Sequence, residues 1–196
     1  MLAAVKLPFG KTIFQFQNGH SITSDSANLI DFVLKNTPRK KLRILELGSG
    51  NGIVSIMLSH YRPNWKIIGI DIQAKLVELS LKNAQITNAK TEFSEADLRH
   101  FQSEKFDIIV SNPPYFKKDE GRISPLEIRA LARHEILCNM NDVLFSIERN
   151  LKNSGTAFLL YPENRLFELE KITKKIDLKI TQKKVLSNAI IVSIKK

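Results

Sequence analysis

Cysteine is almost absent from this chain of 196 residues, which contains Cys138 alone. A single thiol cannot form an internal disulfide or a cysteine-based metal cluster, and its leucine-flanked helical setting predicts a buried structural thiol rather than a nucleophile. The histidines are scattered without the spacing of metal ligands: His20, His60, His100 and His134. We therefore expect no metal site.

Long hydrophobic runs are also missing. No apolar segment approaches the roughly 20 residues that a membrane-spanning helix requires, and the first residues lack the apolar region of a signal peptide. Repeats and low-complexity linkers are lacking as well. These features predict a soluble cytoplasmic protein. The length and the 43% hydrophobic content suit one domain with a sizeable core, in which residues 1–40 lead into a unit at 41–196.

Acidic residues are fewer than basic ones, and the formal net charge is +10 with a pI near 9.7. Such a balance favours a polyanionic partner, because neutralised phosphates release counterions. Part of the excess lies in the last quarter of the chain, where six lysines are predicted to line one side of the domain: Lys171, Lys174, Lys175, Lys179, Lys183 and Lys184. A lysine-rich composition without any binding role is the alternative.

What the chain does contain is a series of motifs at predicted strand ends. The predicted strand Arg43–Leu47 precedes Gly48-Ser49-Gly50-Asn51-Gly52, and the apolar helical run Ile53–Leu58 follows. In this context glycines allow a ligand to approach the backbone closely. The next predicted strand ends at Asp71, where a carboxylate can accept hydrogen bonds from two ribose hydroxyls. A helix-capping role for Asp71 is the alternative, and the two roles are compatible.

The most informative stretch is Ser111-Asn112-Pro113-Pro114-Tyr115-Phe116, directly after the predicted buried strand Phe106–Val110. Prolines offer carbonyl acceptors without N–H donors, so together with the side chain of Asn112 they make a turn lined with acceptors. An aromatic ring follows. The combination suits a flat group bearing an –NH2, whose hydrogens are accepted while its face is stacked. An ordinary strand-to-loop turn is the alternative.

The series resembles the class I S-adenosylmethionine-dependent methyltransferases at Glu46, Gly48, Gly50, Gly52, Asp71, Asp97 and the turn Asn112–Tyr115. The Asn-Pro-Pro-Tyr-Phe version is similar to the adenine-N6 RNA branch. Two further stretches, Phe14–Asp25 and Ala132–His134, resemble the bacterial valine tRNA adenine-N6 methyltransferase family. The chain departs from that family at His20-Ser21 and in its shorter length, which leaves the exact RNA target open.

The resemblance implies S-adenosylmethionine as the cofactor. It implies a cofactor site made of Glu46, Gly48, Gly50, Gly52, Asp71, Ile72, Asp97, Leu98, Asn112 and Asp25. It implies a catalytic turn made of Asn112, Pro113, Pro114 and Tyr115. The predicted RNA contacts are Tyr115, Phe116, Arg129, Arg133, Lys174, Lys175, Lys183 and Lys184. Helix capping by Asp97, a core position for Phe116 and intramolecular salt bridges of the two arginines are the alternatives.

The resemblance also implies the fold, a Rossmann-like, mostly parallel seven-stranded sheet with helices on both faces and an antiparallel C-terminal strand. Strands are predicted at Arg43–Leu47, Lys66–Ile70, Thr91–Ser94, Phe106–Ser111, Thr156–Tyr161, Leu178–Val185 and Ala189–Ile194. Helices are predicted at Asp25–Asn36, Gly52–His60, Ala74–Asn88, Leu131–Lys152 and Glu163–Lys175. The polar segment Phe116–Arg129 is either a mobile lid or a disordered insertion.

The implied function is N6-methylation of an adenosine in RNA, in the anticodon loop of a valine tRNA, at the adenosine 3′ of the anticodon. A protein methyltransferase acting on a glutamine of a release factor is the second hypothesis, because the same turn fits a carboxamide. A methyltransferase for another exocyclic amine of RNA or DNA and a non-catalytic RNA-binding domain are further alternatives. An electrostatic binder would not need the glycines, Asp71 and the complete turn.

Overall fold

A computed structural model of the chain describes residues 1–17, 24–113 and 138–196. The strands in these residues are β1 (Leu2–Lys6), β2 (Thr12–Phe16), β3 (Arg43–Leu47), β4 (Lys66–Asp71), β5 (Thr91–Glu95), β6 (Phe106–Ser111), β7 (Leu151–Pro162), β8 (Lys179–Val185) and β9 (Ala189–Lys195). The α-helices in the same residues are α1 (Ser24–Lys35), α2 (Ile53–Tyr61), α3 (Ala74–Thr87), α4 (Met140–Asn150) and α5 (Leu166–Thr173).

The last seven strands form one sheet in the order β5-β4-β3-β6-β7-β9-β8, and β1 pairs with β2 in a separate hairpin. Neighbouring strands from β5 to β7 are parallel, whereas β9 runs antiparallel to both β7 and β8. The chain winds outward from β3 to β5 on one side and from β6 to β7 on the other. In an open α/β sheet, ligands bind outside the carboxyl ends of the strands where the winding reverses, which here is between β3 and β6.

The central strands of the sheet are buried on both faces, as their nearly continuous apolar sequences predict, whereas the outer strands β5 and β8 are largely exposed. Successive side chains of a strand point to opposite faces, so Ile44 joins one core cluster with helices α1, α2 and α3, while Leu45 joins the other with α4 and α5. The same alternation separates Ile108 from Ile109 in β6. Glu46 lies on the face of Ile44, and α2 therefore covers it.

The predicted strands are confirmed, and the bounds of β3 and β6 are those expected. β7 begins at Leu151 rather than Thr156, because the chain leaves α4 directly into the strand. The helix predicted over 131–152 is described only at Met140–Asn150. A single 3₁₀ turn, Glu163–Arg165, precedes α5. The predicted lid at 116–129 lies outside the described residues.

The first 17 residues form a hairpin that the sequence did not predict, with Leu2 opposite Phe16 and Lys6 opposite Thr12. Ile13 of this hairpin is fully buried in the cluster that contains α2 and α3. Cys138 is half-buried against the other cluster rather than fully buried. In the described part of the chain, no helix is both long and apolar enough to cross a membrane.

Candidate active site

The carboxyl ends of β3, β4 and β6 bring the predicted motifs together. Leu47 is the partner of Ile70 in β4 and of Ser111 in β6. The residues that follow these positions are Gly48, Asp71 and Asn112, and they begin side by side at one edge of the sheet. The hydroxyl of Ser111 donates to the carbonyl oxygen of Leu47 at 2.8 Å, which fixes the start of the acceptor-lined turn against the start of the glycine loop.

The glycine loop needs glycine for two different reasons. Gly48, Gly50 and Gly52 have φ values of 69°, 55° and 82°, in the left-handed region that side chains other than glycine avoid. A Cβ added at Gly48 or Gly50 would meet none of the described residues within 4 Å, whereas one added at Gly52 would lie 2.8 Å from the ring of Phe93. Gly48 and Gly50 therefore present bare backbone to open space, and Gly52 is fixed by packing.

Asp71 holds the loop in place. Its Oδ2 accepts a hydrogen bond from the Gly50 N–H at 2.9 Å, and its Oδ1 accepts one from the Gln73 N–H at 2.9 Å. Burial raises the pKa of the Asp71 carboxyl, and these backbone N–H groups counteract part of that rise. Each carboxylate oxygen has a second lone pair, so Asp71 retains acceptor capacity for a ligand. Ile72 is half-buried beside it.

Glu46 lies beneath the same loop with only 4% of its surface exposed. Its Oε2 accepts hydrogen bonds from the backbone N–H of Ser55 at 3.0 Å and from the Ser55 hydroxyl at 2.5 Å. Ser55 is the third residue of α2, whose N-cap Gly52 offers no side chain, so Glu46 supplies the missing acceptor. Burial raises the pKa of the Glu46 carboxyl to about 8, against the opposing effect of Ser55.

Asn112 is the predicted catalytic residue whose surroundings are most informative. Its Oδ1 is buried and has no hydrogen-bond partner in the part of the chain that the structure describes. An acceptor without a donor is unfavourable in a folded interior, so this atom is suited to a donor brought by a ligand. Pro113 is buried next to it. The described residues end at Pro113 on this side of the gap.

Several predicted site residues lie outside the described residues: Pro114, Tyr115, Phe116, Arg129 and Arg133. Their roles stay predictions. Asp25 lies in the first turn of α1 and is half-buried. It follows the other gap in the description, at residues 18–23.

Asp97 makes an ion pair that the sequence did not reveal. Arg99 donates from Nε to Asp97 Oδ2 at 2.9 Å and from Nη2 to the same oxygen at 2.5 Å, and its backbone N–H donates to Oδ1. These bonds lower the pKa of Asp97. Asp97 caps no helix. The predicted contact of Asp97 and Leu98 with an adenine would compete with this pair.

The predicted lysine surface is partly neutralised within the protein. Lys183 pairs with Glu170, and Lys184 lies 3.7 Å from Asp31. Lys174 and Lys175 follow α5 and have no salt bridge among the residues that the structure describes. Lys183 and Lys184 are consecutive residues of β8, and their partners lie in α5 and α1 on opposite faces of the sheet, so the four lysines do not share one side of the domain. Of the four predicted contacts, two are unpaired cations among the described residues.

Asn83 is a site residue that the motif analysis missed. It is fully buried in α3, and its Nδ2 donates to the carbonyl oxygens of Phe14 at 2.8 Å and Asn51 at 2.9 Å. Its Oδ1 accepts from the Phe14 N–H at 2.8 Å. Asn83 thus ties the N-terminal hairpin to the glycine loop. The sequence feature that could have identified Asn83 is its position on the apolar face of α3, one helical turn after Ser80, where a polar side chain needs a partner.

Among the described residues, no three histidine, cysteine, aspartate or glutamate side chains gather as a metal site would require. The site that the fold assembles thus consists of an open glycine backbone, two buried carboxylates and an unsatisfied amide oxygen. Such a set can hold a polar organic ligand and accept the hydrogens of an amine.

The strand order and the site define the class: the chain has the Rossmann-like methyltransferase fold. The crystal structure of a methyltransferase from Pyrococcus furiosus shares this fold, with a TM-score of 0.71, 18% identity, and coverage of 95% of this chain and 89% of that one. The family model described as methyltransferase small domain matches residues 21–137. The chain belongs to this family, which confirms the resemblance drawn from the motifs.

Two curated relatives differ in the substrate that their names give. A release factor glutamine methyltransferase from Lactococcus lactis is 36% identical over 96 residues, 49% of this chain and 36% of the relative. A tRNA1(Val) (adenine(37)-N6)-methyltransferase from Aeromonas hydrophila is 30% identical over 139 residues, 69% of this chain and 58% of the relative. The chain therefore spans between about a third and three fifths of these relatives' lengths.

Proposed function

We propose that this chain is an S-adenosylmethionine-dependent N-methyltransferase that methylates the N6 amine of an adenosine in RNA. The proposed target is the adenosine 3′ of the anticodon in a valine tRNA. The observation that carries the proposal is the buried Oδ1 of Asn112, which has no partner among the described residues and lies beside the open glycine loop. An acceptor in that position would gain a hydrogen bond if an –NH2 group entered the site.

The residues present fit the cofactor. Gly48 and Gly50 leave open space in which a ligand can lie against backbone. Asp71 keeps lone pairs for the two hydroxyls of a ribose, and a positively charged group bound near Glu46 would favour ionisation of its buried carboxyl. When bound, S-adenosylmethionine supplies a methyl group already activated by its sulfonium. The protein's part is then to position the acceptor nitrogen.

In the proposed reaction, Asn112 Oδ1 and the carbonyl of Pro113 accept the two hydrogens of the target amine. Accepting both bonds draws the nitrogen toward a tetrahedral shape, which frees its lone pair from conjugation with the ring. The new N–C bond would form as the S–C bond of the cofactor breaks, and the amine proton, made acidic by alkylation, would leave to water. No general base with a shifted pKa is required before the transfer. Tyr115 is proposed to stack on the base.

The net charge of +10 supports RNA as the substrate, because a polyanion gains affinity from every neutralised phosphate. Relatives named for adenine-N6 methylation of valine tRNA support it too. A glutamine carboxamide of a release factor is the second candidate, favoured by the relatives named for that reaction. Its –NH2 fits the same acceptors, so the site chemistry alone does not separate the two.

The test is to incubate the protein with S-adenosylmethionine carrying a labelled methyl group, in separate reactions with unmodified valine tRNA, other tRNAs and a release factor. Digestion and mass spectrometry identify the product. Label in N6-methyladenosine of the tRNA supports the proposal, and label only in methylglutamine replaces it with the second candidate. Label in none of the substrates contradicts both.

The mechanism predicts that Asn112→Ala lowers kcat at least about 100-fold, while cofactor affinity measured by calorimetry stays within several-fold of wild type. Asn153→Ala is the matched control, because Asn153 is an exposed asparagine in β7 at the opposite edge of the sheet. Comparable turnover by the Asn112 variant would contradict the role of its side chain.

A further inference from the structure

The amino ends of the parallel strands carry a row of lysines, at the edge of the sheet opposite to the candidate active site. Lys41 lies two residues before β3, Lys66 opens β4, and Lys90 and Lys105 directly precede β5 and β6. These four strands are neighbours in the sheet. Adjacent strands lie about 4.8 Å apart, so the four lysines, here called the amino-edge row, extend across roughly 15 Å.

The row is not neutralised by the protein. All four lysines are exposed, and none forms a salt bridge within the described residues. Two acidic side chains at this edge already have partners, since Glu104 pairs with Arg43 at 2.6 Å and Asp107 with Lys152 at 2.8 Å. Glu92, exposed on β5, is the remaining acid beside the row in the described residues. The edge therefore keeps a net positive charge.

Further cations stand next to the row. Arg62, in the turn between α2 and β4, places its guanidinium over the ring of Trp65 at 5.7 Å and donates to the carbonyl oxygen of Leu34. Burial and the positive charge of Arg39 lower the pKa of Arg62. Arg62 and Arg39 therefore add to the positive charge at this end of the row.

A groove runs behind these lysines. It has a volume of about 540 Å³, and its lining includes Lys66, Lys90, Arg43 and Thr91. Arg43 Nε and Thr91 Oγ1 are buried without a hydrogen-bond partner among the described residues. The groove is thus lined by two unpaired lysines, next to two side chains whose buried polar atoms are unsatisfied among the described residues. A lining with this charge suits a polar, negatively charged ligand.

A second pocket, which shares Pro63, Ala89 and Lys90 with the groove, is lined by Phe9 and His60. His60 stacks on Phe9 with 3.9 Å between ring centroids, and Tyr61 meets His60 edge-on at 5.1 Å. Tyr61 is 42% exposed. Cations next to an exposed ring are typical of surfaces that follow a nucleic-acid backbone and stack an unpaired base.

We propose that the amino-edge row is a second RNA-binding surface, which contacts the phosphodiester backbone of the substrate at a distance from the methylated base. The inference depends on the proposed function only for the identity of the RNA. Lysine is depleted in protein–protein interfaces, so four unpaired lysines in a row favour a polyanion over an acidic protein. The strands between the two edges are about six residues long, so the RNA would extend about 20 Å from the active site.

The test compares two variants with the same loss of charge. One replaces Lys41, Lys66, Lys90 and Lys105 by serine, and the other replaces Lys174, Lys175, Lys183 and Lys184 by serine. Binding of unmodified tRNA and, in a separate titration, of a release factor is measured by fluorescence anisotropy at several salt concentrations, without S-adenosylmethionine. Circular dichroism and thermal midpoints show whether each variant is folded. A binding measurement needs no turnover, so it remains valid if the proposed methylation fails.

The first variant is expected to bind tRNA at least tenfold more weakly in 100 mM salt. Its slope of log K against log salt should fall by about 3, since each lost phosphate contact removes about 0.7 to 0.9. The second variant should lose clearly less tRNA affinity than the first, and its salt slope should change less. Equal losses in both variants would indicate net charge alone, and an unchanged slope in the first would place the RNA elsewhere. Loss of release-factor binding with tRNA binding intact would assign the row to a protein. Each of these three results overturns the inference.

Discussion

The buried carboxyl of Glu46 should make the stability of the protein fall as the pH rises. In the folded chain its pKa is raised from the ordinary 4.5 to about 8, chiefly by burial. Below pH 4.5 both states carry the proton; above it the unfolded chain loses the proton while the folded chain keeps it. Stability is therefore present at low pH and is lost progressively as the pH rises to about 8.

The size of the effect follows from the shift. Each pKa unit corresponds to about 1.4 kcal/mol, so between pH 5 and pH 8.5 the contribution of Glu46 should change by about 4 kcal/mol. Glu46→Gln removes the titration but keeps a side-chain carbonyl for the N–H and the hydroxyl of Ser55. The difference in unfolding free energy between wild type and variant reports the titration of Glu46, together with its coupling to Asp71.

Urea unfolding at a series of pH values measures that difference. We expect the free energy of unfolding of wild type to decline relative to that of Glu46→Gln by several kcal/mol as the pH rises from 5 to 8.5. Glu95→Gln, which removes an exposed carboxyl at the same edge of the sheet, should track wild type. A wild-type minus Glu46→Gln difference that stays constant with pH would refute the reasoning.

Three further outcomes are expected. Gly52→Ala should destabilise the fold by about 2–4 kcal/mol in urea unfolding, because its Cβ would strike the ring of Phe93 and its φ is positive. Gly50→Ala should lower the free energy of unfolding by only about 1–2 kcal/mol and should weaken cofactor binding in calorimetry. Equal destabilisation by the Gly50 and Gly52 variants would contradict the assignment of Gly52 to packing and of Gly50 to ligand approach. Asn83→Ala should lose about 2–4 kcal/mol and speed hydrogen exchange at the Phe14 amide, and unchanged exchange there would show that Asn83 does not hold the hairpin.

The strands and the site edge were predictable because their signals are local in sequence. The apolar runs of β3 and β6 identified both strands to the residue. Parallel strands end at one edge, so the motifs after them had to meet there. The distinct roles of Gly50 and Gly52 were not predictable, since they depend on whether Phe93, 41 residues later in the chain than Gly52, lies beside the loop.

The N-terminal hairpin was not predicted because it, too, depends on contacts with residues that are distant in the sequence. Its strands are short, and its stability comes from Ile13 in the core and from the hydrogen bonds of Asn83 to Phe14. Neither contact is visible within the hairpin's own sequence. The side-chain amide of Asn83 accepts a hydrogen bond from the Phe14 N–H and donates one to the Phe14 carbonyl, as the backbone of a neighbouring third strand would.

The arrangement of the lysines was the feature least predictable from the sequence. The lysines after Leu151 attracted notice because they are close in sequence, yet Lys183 and Lys184 have acidic neighbours in the fold. Lys66 and Lys90 are isolated in sequence and come together only because β4 and β5 are adjacent. In a parallel sheet, the residues that precede the strands lie together at one edge, just as the residues that follow the strands lie together at the other. In this chain the glycine loop, Asp71 and Asn112 lie at one edge, and four lysines without a salt bridge among the described residues lie at the other.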